Sequence, residues 1–194
     1  MRAPEISDAD GAAIVAAARQ AIAEALGAPH GPAPPVPCLR AGVFVTVHGR
    51  TGLRGCIGFM GADAPLGGTL REAAVAAATG DARFAPLTAA ELGSVTIEVS
   101  VLSGAEPLAG PREGYPAAVR VGRDGLVVRR GALAGLLLPQ VATEMSWNAA
   151  EFLDGACQKA GLGPGCWRDE QVEVLSFAAA VFGEGSPGAR AVRA

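Results

Sequence analysis

Lysine is almost missing from this sequence. Lys159 is the single one, and the other fifteen cationic side chains among 194 residues are arginines. Charged residues make up 18% of the chain, with 16 basic against 19 acidic, for a net charge of -3. So thin and weakly negative a balance lacks the basic face of a nucleic-acid-binding protein, and such a role is excluded. Aromatic residues are also scarce, at 5%. Only two histidines occur, His30 and His48, neither at ligand spacing from a cysteine, so no metal site or other cofactor is expected. The four cysteines, Cys38, Cys56, Cys157 and Cys166, are separated by 18, 101 and 9 residues and form no C-x-x-C pair. No charged n-region with an apolar h-region opens the chain, and apolar runs such as Leu133 to Leu138 are too short to span a bilayer. These absences predict reduced thiols in a cytoplasmic, non-membrane protein.

What remains is half hydrophobic, with mean hydropathy +0.31, and rich in Gly (27) and Pro (14). That is enough chain for one domain with a real core. Ser7-Asp8-Ala9-Asp10 resembles a helix start, and Ile14, Val15, Ala18, Ile22 and Leu26 recur at helical spacing over 8–26. A Pro-rich strap follows over 27–37. Residues 41–48 and 53–59 read as a hairpin around Gly49–Gly52. Thr69-Leu70-Arg71-Glu72 reads as a capping box opening an Ala-rich helix that Gly80 stops, and Thr88-Ala89-Ala90-Glu91 predicts a short second one. Strict alternation over 95–101 predicts a strand, and Arg123-Asp124-Gly125 predicts a hairpin inside 119–128. Residues 133–138 add a strand, Asn148 opens a helix that Gly161 closes, and 172–182 is a last strand before a disordered tail. Helices alternate irregularly with hairpins, so the fold class is α+β: a mixed or antiparallel sheet with flanking helices. The two tryptophans, Trp147 and Trp167, flank the last helix as packing anchors.

Leu53-Arg54-Gly55-Cys56-Ile57-Gly58 is the segment that could carry chemistry. Two glycines inside a strand mark a bulge or a close approach of backbone or ligand. Between them stands a thiol, and beside them a guanidinium suited to a carboxylate or phosphate. The alternatives are a ligand or peptide site with Cys56 as a nucleophile, or a tightly packed hairpin with a buried thiol and a paired arginine. His48 makes a poor base for Cys56 in either register considered. With His48 opposite Leu53 and Val45 opposite Cys56, the two side chains fall on opposite faces. With Cys56 opposite Phe44, His48 lies roughly 13 Å away at about 3.3 Å per residue.

That hexapeptide resembles the signature of the AMMECR-type domain family. The resemblance continues through Leu70-Arg71-Glu72, Asp81-Ala82-Arg83-Phe84, Glu98 to Leu102, Gly122 to Leu126 and Leu138 to Ala142. It closes with Trp147, Phe152-Leu153, Cys157 to Leu162 and Trp167-Arg168-Asp169. It implies a single domain over 1–183 built as a larger and a smaller lobe with a cleft between them, and a disordered tail over 184–194. It also implies association with Memo-type proteins and radical S-adenosylmethionine enzymes, as in the AmmeMemoRadiSam system. The motif carries Arg54, Gly55, Ile57 and Gly58 over as binding residues and Cys56 as the catalytic candidate. Arg83 and Glu144 join them by family position, as does Lys159, a lone amine in an arginine-rich chain. The expected function is a binding module for an unknown small molecule or a protein partner, and the alternative is an enzyme using Cys56 as nucleophile or redox thiol. An apolar patch between lobes would equally serve a homodimer contact.

Overall fold

Burial explains why the first helix forms where it does. In the computed structural model, which describes residues 3–61 and 64–194, helix α1 (Asp8–Ala25) buries Ile14, Val15, Ala18 and Ile22 along one stripe. Ser7 caps it by accepting from the Asp10 amide. The strands β1 (Gly42–Gly49), β2 (Gly52–Phe59) and β3 (Thr96–Leu102) form an antiparallel sheet in the order β2-β1-β3. One face of that sheet carries Val43, Val45, Val47, Ile97, Val99 and Val101, all with no solvent exposure. Helix α2 (Leu66–Thr79) packs on β1 and β2, and α1 packs on β3, so the apolar faces close on one another. Each fully buried valine contributes about 1.5–3 kcal/mol.

Residues 4–102 and 180–194 form this first compact unit, and residues 103–179 form a second. The second contains β4 (Glu106–Pro107), α3 (Tyr115–Ala118), β5 (Asp124–Arg130), β6 (Leu133–Leu137), α4 (Pro139–Glu144) and α5 (Ala149–Lys159). Strand β7 (Glu173–Gly183) runs through both units, and in the second it pairs with β4 and β5, while β5 pairs with β6. The core of this unit gathers Leu126, Val128, Phe152, Leu153, Cys157, Trp167 and Val174. Trp167 donates to Asp154 at 2.8 Å, while Trp147 rests half-buried on Gly155, whose hydrogen leaves room for the ring. The fold is α+β, and the ladders β1–β2, β1–β3, β4–β7, β5–β6 and β5–β7 are all antiparallel.

Several local expectations give way. Helix α2 starts at Leu66, three residues before the expected capping box. Buried Leu66 and Leu70 fix that first turn, and the Thr69 hydroxyl bonds back to the Pro65 and Leu66 carbonyls instead of capping. Thr88 and Glu91 do exchange capping hydrogen bonds, yet only a 3-10 turn, Leu92–Ser94, follows before the β-prone run. The hairpin expected at Arg123-Asp124-Gly125 is a turn leading into one strand, because buried Asp124 takes the Arg120 amide and the Arg123 guanidinium. The actual hairpin lies at Gly131, with φ 59°. Helices α3 and α4 were not anticipated, although Pro116 and Pro139 sit in their first turns, where proline fits. Residues 184–194, expected as a disordered tail, make defined contacts. The Arg19 guanidinium donates to Glu184 and to the Leu92 and Val95 carbonyls, and β8 (Val192–Arg193) pairs with Phe182 and Gly183.

The expectation of reduced thiols is overturned for one pair. Cys157 and Cys166 form a disulfide with their Cα atoms 5.8 Å apart. Gly161 ends α5 at φ 75° and Gly165 turns the chain back at φ 77°, so two cysteines on either side of a turn meet without any C-x-x-C spacing. Cys166→Ser is expected to lower stability by about 2–3 kcal/mol, from the short loop that the bond closes. Thiol counting in denaturant is expected to find two reactive groups, Cys38 and Cys56, before reduction and four after it. Four before reduction would refute the bond.

Candidate functional site

The LRGCIG hairpin adopts neither of the two registers considered from sequence. His48 stands opposite Leu53, but Val47 stands opposite Gly55, so Arg54 is the extra residue of a β-bulge. The shift sets Cys56 opposite Thr46. The Thr46 hydroxyl donates to Cys56 Sγ at 3.4 Å. His48 lies two residues along β1, about 7 Å by strand geometry. The thiol therefore has a hydroxyl neighbour in place of a base.

The bulge also decides what Arg54 does. Turned out of the ladder, its guanidinium donates to the Ala85 carbonyl at 2.6 Å, the Pro86 carbonyl at 3.4 Å and Glu91 Oε1 at 3.3 Å. Glu91 in turn accepts from the Thr88 amide and hydroxyl, which hold its carboxyl below the usual range, with Arg54 adding to that effect. Arg54 thus ties β2 to the loop over 85–91. The glycines are contact positions. A Cβ at Gly55 would stand 1.9 Å from the Ala77 carbonyl of α2, and one at Gly58 would lie 2.3 Å from the Phe44 ring. Gly55 therefore seats the hairpin on the helix, and Gly58 lets an aromatic ring lie across the strand. Ile57 pairs with Val45, half-buried.

Asp81, which the sequence reading passed over, organises the site. It directly follows the glycine ending α2, is 7% exposed, and accepts the Cys56 amide at 2.9 Å. It also accepts the amide and guanidinium of Arg83, at 3.2, 2.9 and 2.6 Å. Arg83 donates onward to the Cys56 carbonyl at 3.5 Å. Strand β2 is an edge strand, and both outward main-chain groups of Cys56 are thus satisfied by one ion pair standing where a further strand would lie. Arg83 beside it holds the Asp81 carboxyl far below the carboxylate range, with the Cys56 amide reinforcing that effect. Half of the Arg83 side chain remains exposed, its guanidinium 5.3 Å from the Phe84 ring. The available signal was Asp-x-Arg after a helix stop, an Asx-turn pattern.

Cys56, Thr46 and Glu98 lie side by side across β2, β1 and β3, on the face opposite the helices. Burial pushes the Cys56 thiol above its ordinary value; Thr46 and Arg83 oppose this, and Asp81 and Glu98 add to it. At neutral pH the group is a protonated thiol. The structure gathers Arg54, Gly55, Cys56, Ile57, Gly58 and Arg83 around one hairpin. Glu144 and Lys159 belong to the other unit, exposed at the ends of α4 and α5. Among the described residues no group of three or more His, Cys, Asp or Glu side chains is placed to hold a metal, and no helix is long and apolar enough to cross a membrane.

Comparison with known proteins places these features in a wider set. The AMMECR1 family model matches residues 15–182. A protein of Methanothermobacter thermautotrophicus is 52% identical over 147 residues, covering 75% of this chain and 76% of that one. Protein PF1979 of Pyrococcus furiosus is 43% identical over 192 residues, covering 94% and 91%. The crystal structure of uncharacterized protein PH0010 from Pyrococcus horikoshii superposes with a TM-score of 0.91 at 42% identity, covering 97% of this chain and 98% of that chain.

Proposed function

The chain belongs to the AMMECR1 family, and from that premise we propose that it is a binding module acting with a Memo-type protein or a radical S-adenosylmethionine enzyme in the cytoplasm. The observation that carries this reading is the state of the signature segment. Its thiol is raised above the ordinary range, its bulged arginine is committed to a loop, and its edge is closed by the Asp81–Arg83 pair. A nucleophilic cysteine needs the opposite, a lowered thiol pKa or an adjacent base. The alternative of an enzyme working through Cys56 is therefore the weaker reading. What the segment does offer outward is a half-exposed Arg83 on Phe84, with exposed Leu53 on the Thr46 face of β2. Arginine and aromatic groups are enriched at protein interfaces. The Cys157–Cys166 disulfide weighs against the cytoplasm, where such bonds are rare, and thiol counting on protein kept under cytoplasmic reducing conditions tests that part of the proposal.

Titration calorimetry against a Memo-type protein and a radical S-adenosylmethionine enzyme from the same source tests the proposal. Saturable binding that weakens about tenfold or more in Arg83→Ala, a loss typical of an interface hot spot, is expected. Leu53→Ser, at an exposed position, serves as a second variant that leaves the fold alone. Absence of heat with either protein, together with no thermal shift from any metabolite tried, would overturn it.

A further inference from the structure

The second unit ends in an edge strand, β6, and among the described residues no further strand pairs with its outer side. Strand β6 pairs with β5 on one side, and the two-residue loop Gly131–Ala132 makes Arg130 and Leu133 the closing pair. A two-residue hairpin closes on a hydrogen-bonded pair, and such pairs then alternate along the ladder. The amide and carbonyl groups of Ala134 and Leu136 therefore point away from β5. Among the described residues no hydrogen bond reaches them from that side. The strand is uncharged throughout, Leu133 is 45% exposed, and Ala134 is exposed. Native edges are usually blunted by charge or proline, and β6 carries neither.

The end of helix α5 lies directly on this strand. A Cβ at Gly135 would stand 2.3 Å from the Ala160 nitrogen, so glycine is what lets the helix end approach. The last turn of α5 carries Lys159, exposed and the only lysine of the chain. An edge strand with four open main-chain groups, overhung by a helix end bearing a cation, fits strand addition. We infer that the β6 edge takes up an extended peptide strand of a partner protein, with an apolar side chain against Leu133 and an acidic one at Lys159.

A second copy of this chain fits less well. Antiparallel self-pairing about Gly135 would bring two α5 ends, and two Lys159 side chains, together over one point. The inference stands apart from the LRGCIG hairpin, which belongs to the other unit.

Amide exchange and selection from a displayed library of random peptides test it. In the free protein, the Ala134 and Leu136 amides exchange fast while those of Gly135 and Leu137 are protected. A peptide selected on the full chain is expected to be extended, to carry an acidic residue, and to protect both open amides. Ala134→Pro removes one open donor and no ladder bond, so its affinity for the selected peptide falls about tenfold. Lys159→Glu abolishes the acidic preference. Slow exchange at Ala134 in the free monomer, equal binding by Ala134→Pro, or enrichment of no peptide would overturn the proposal. So would a dimer in sedimentation that Ala134→Pro dissolves, which would assign the edge to a second copy.

Discussion

Gly55→Ala is expected to destabilise the protein by about 3 kcal/mol or more, the upper end of overpacking penalties. The added carbon would stand 1.9 Å from the Ala77 carbonyl, a main-chain atom near the end of α2 that no rotamer change can move aside. Relief requires β2 or α2 to shift, and α2 also packs on the neighbouring β1, whose valines have no exposure at all. Chemical denaturation measures this directly, and Gly93→Ala is a fair control because among the described residues nothing lies within 4 Å of its Cβ position. A Gly55→Ala cost no greater than that of Gly93→Ala would show that the hairpin does not pack on the helix as described.

Asp81→Ala is expected to cost about 2 kcal/mol at neutral pH, the penalty for leaving a main-chain donor unsatisfied together with the loss of a half-exposed ion pair. Three things are lost together: the acceptor for the Cys56 amide, the partner of Arg83, and the turn that follows α2. Arg83 is half exposed and can hydrate, so most of the loss falls on the buried side of the pair. The pH dependence has a defined sign. Asp81 has a folded pKa below its ordinary value of 3.8, so its contribution is complete above that value and fades as the pH falls below it. The stability gap between wild type and Asp81→Ala should hold from neutral pH down to about 4 and narrow below it. A gap that is constant down to pH 2, or that closes already near pH 6, would contradict the pairing.

The elements that were legible in the sequence are those in which one chain segment carries its own signal. Helix α1 shows its apolar stripe and its Ser7 cap, α5 shows its Asn148–Glu151 capping box, and β3 shows its alternation. What escaped is long-range. The bulge at Arg54 arises between two strands, so no local pattern distinguishes Thr46 from Val45 as the partner of Cys56. Asp81 has a local partner in Arg83, but its long-range one, the Cys56 amide, meets it only once α2 packs on β2. The Cys157–Cys166 bond depends on two left-handed glycines after α5, and their effect on distance is invisible to spacing rules. The signature itself was found for the right reason, since its glycines do mark a bulge and two close approaches. Of the two roles open to its arginine, ligand contact or ion pairing, the structure shows the second, with Glu91 and the Ala85 carbonyl as partners.

Alkylation of the folded protein across pH decides whether the signature thiol is a protonated group packed into its hairpin. Cys38, exposed and free, is the internal reference, while Cys157 and Cys166 stay silent in their disulfide. Cys56 is expected to label more slowly than Cys38 at every pH, with a midpoint above that of an ordinary thiol, because burial outweighs the help of Thr46 and Arg83. Rapid labelling of Cys56 at pH 6, ahead of Cys38, would reveal a stabilised thiolate and hand the site to the enzymatic reading.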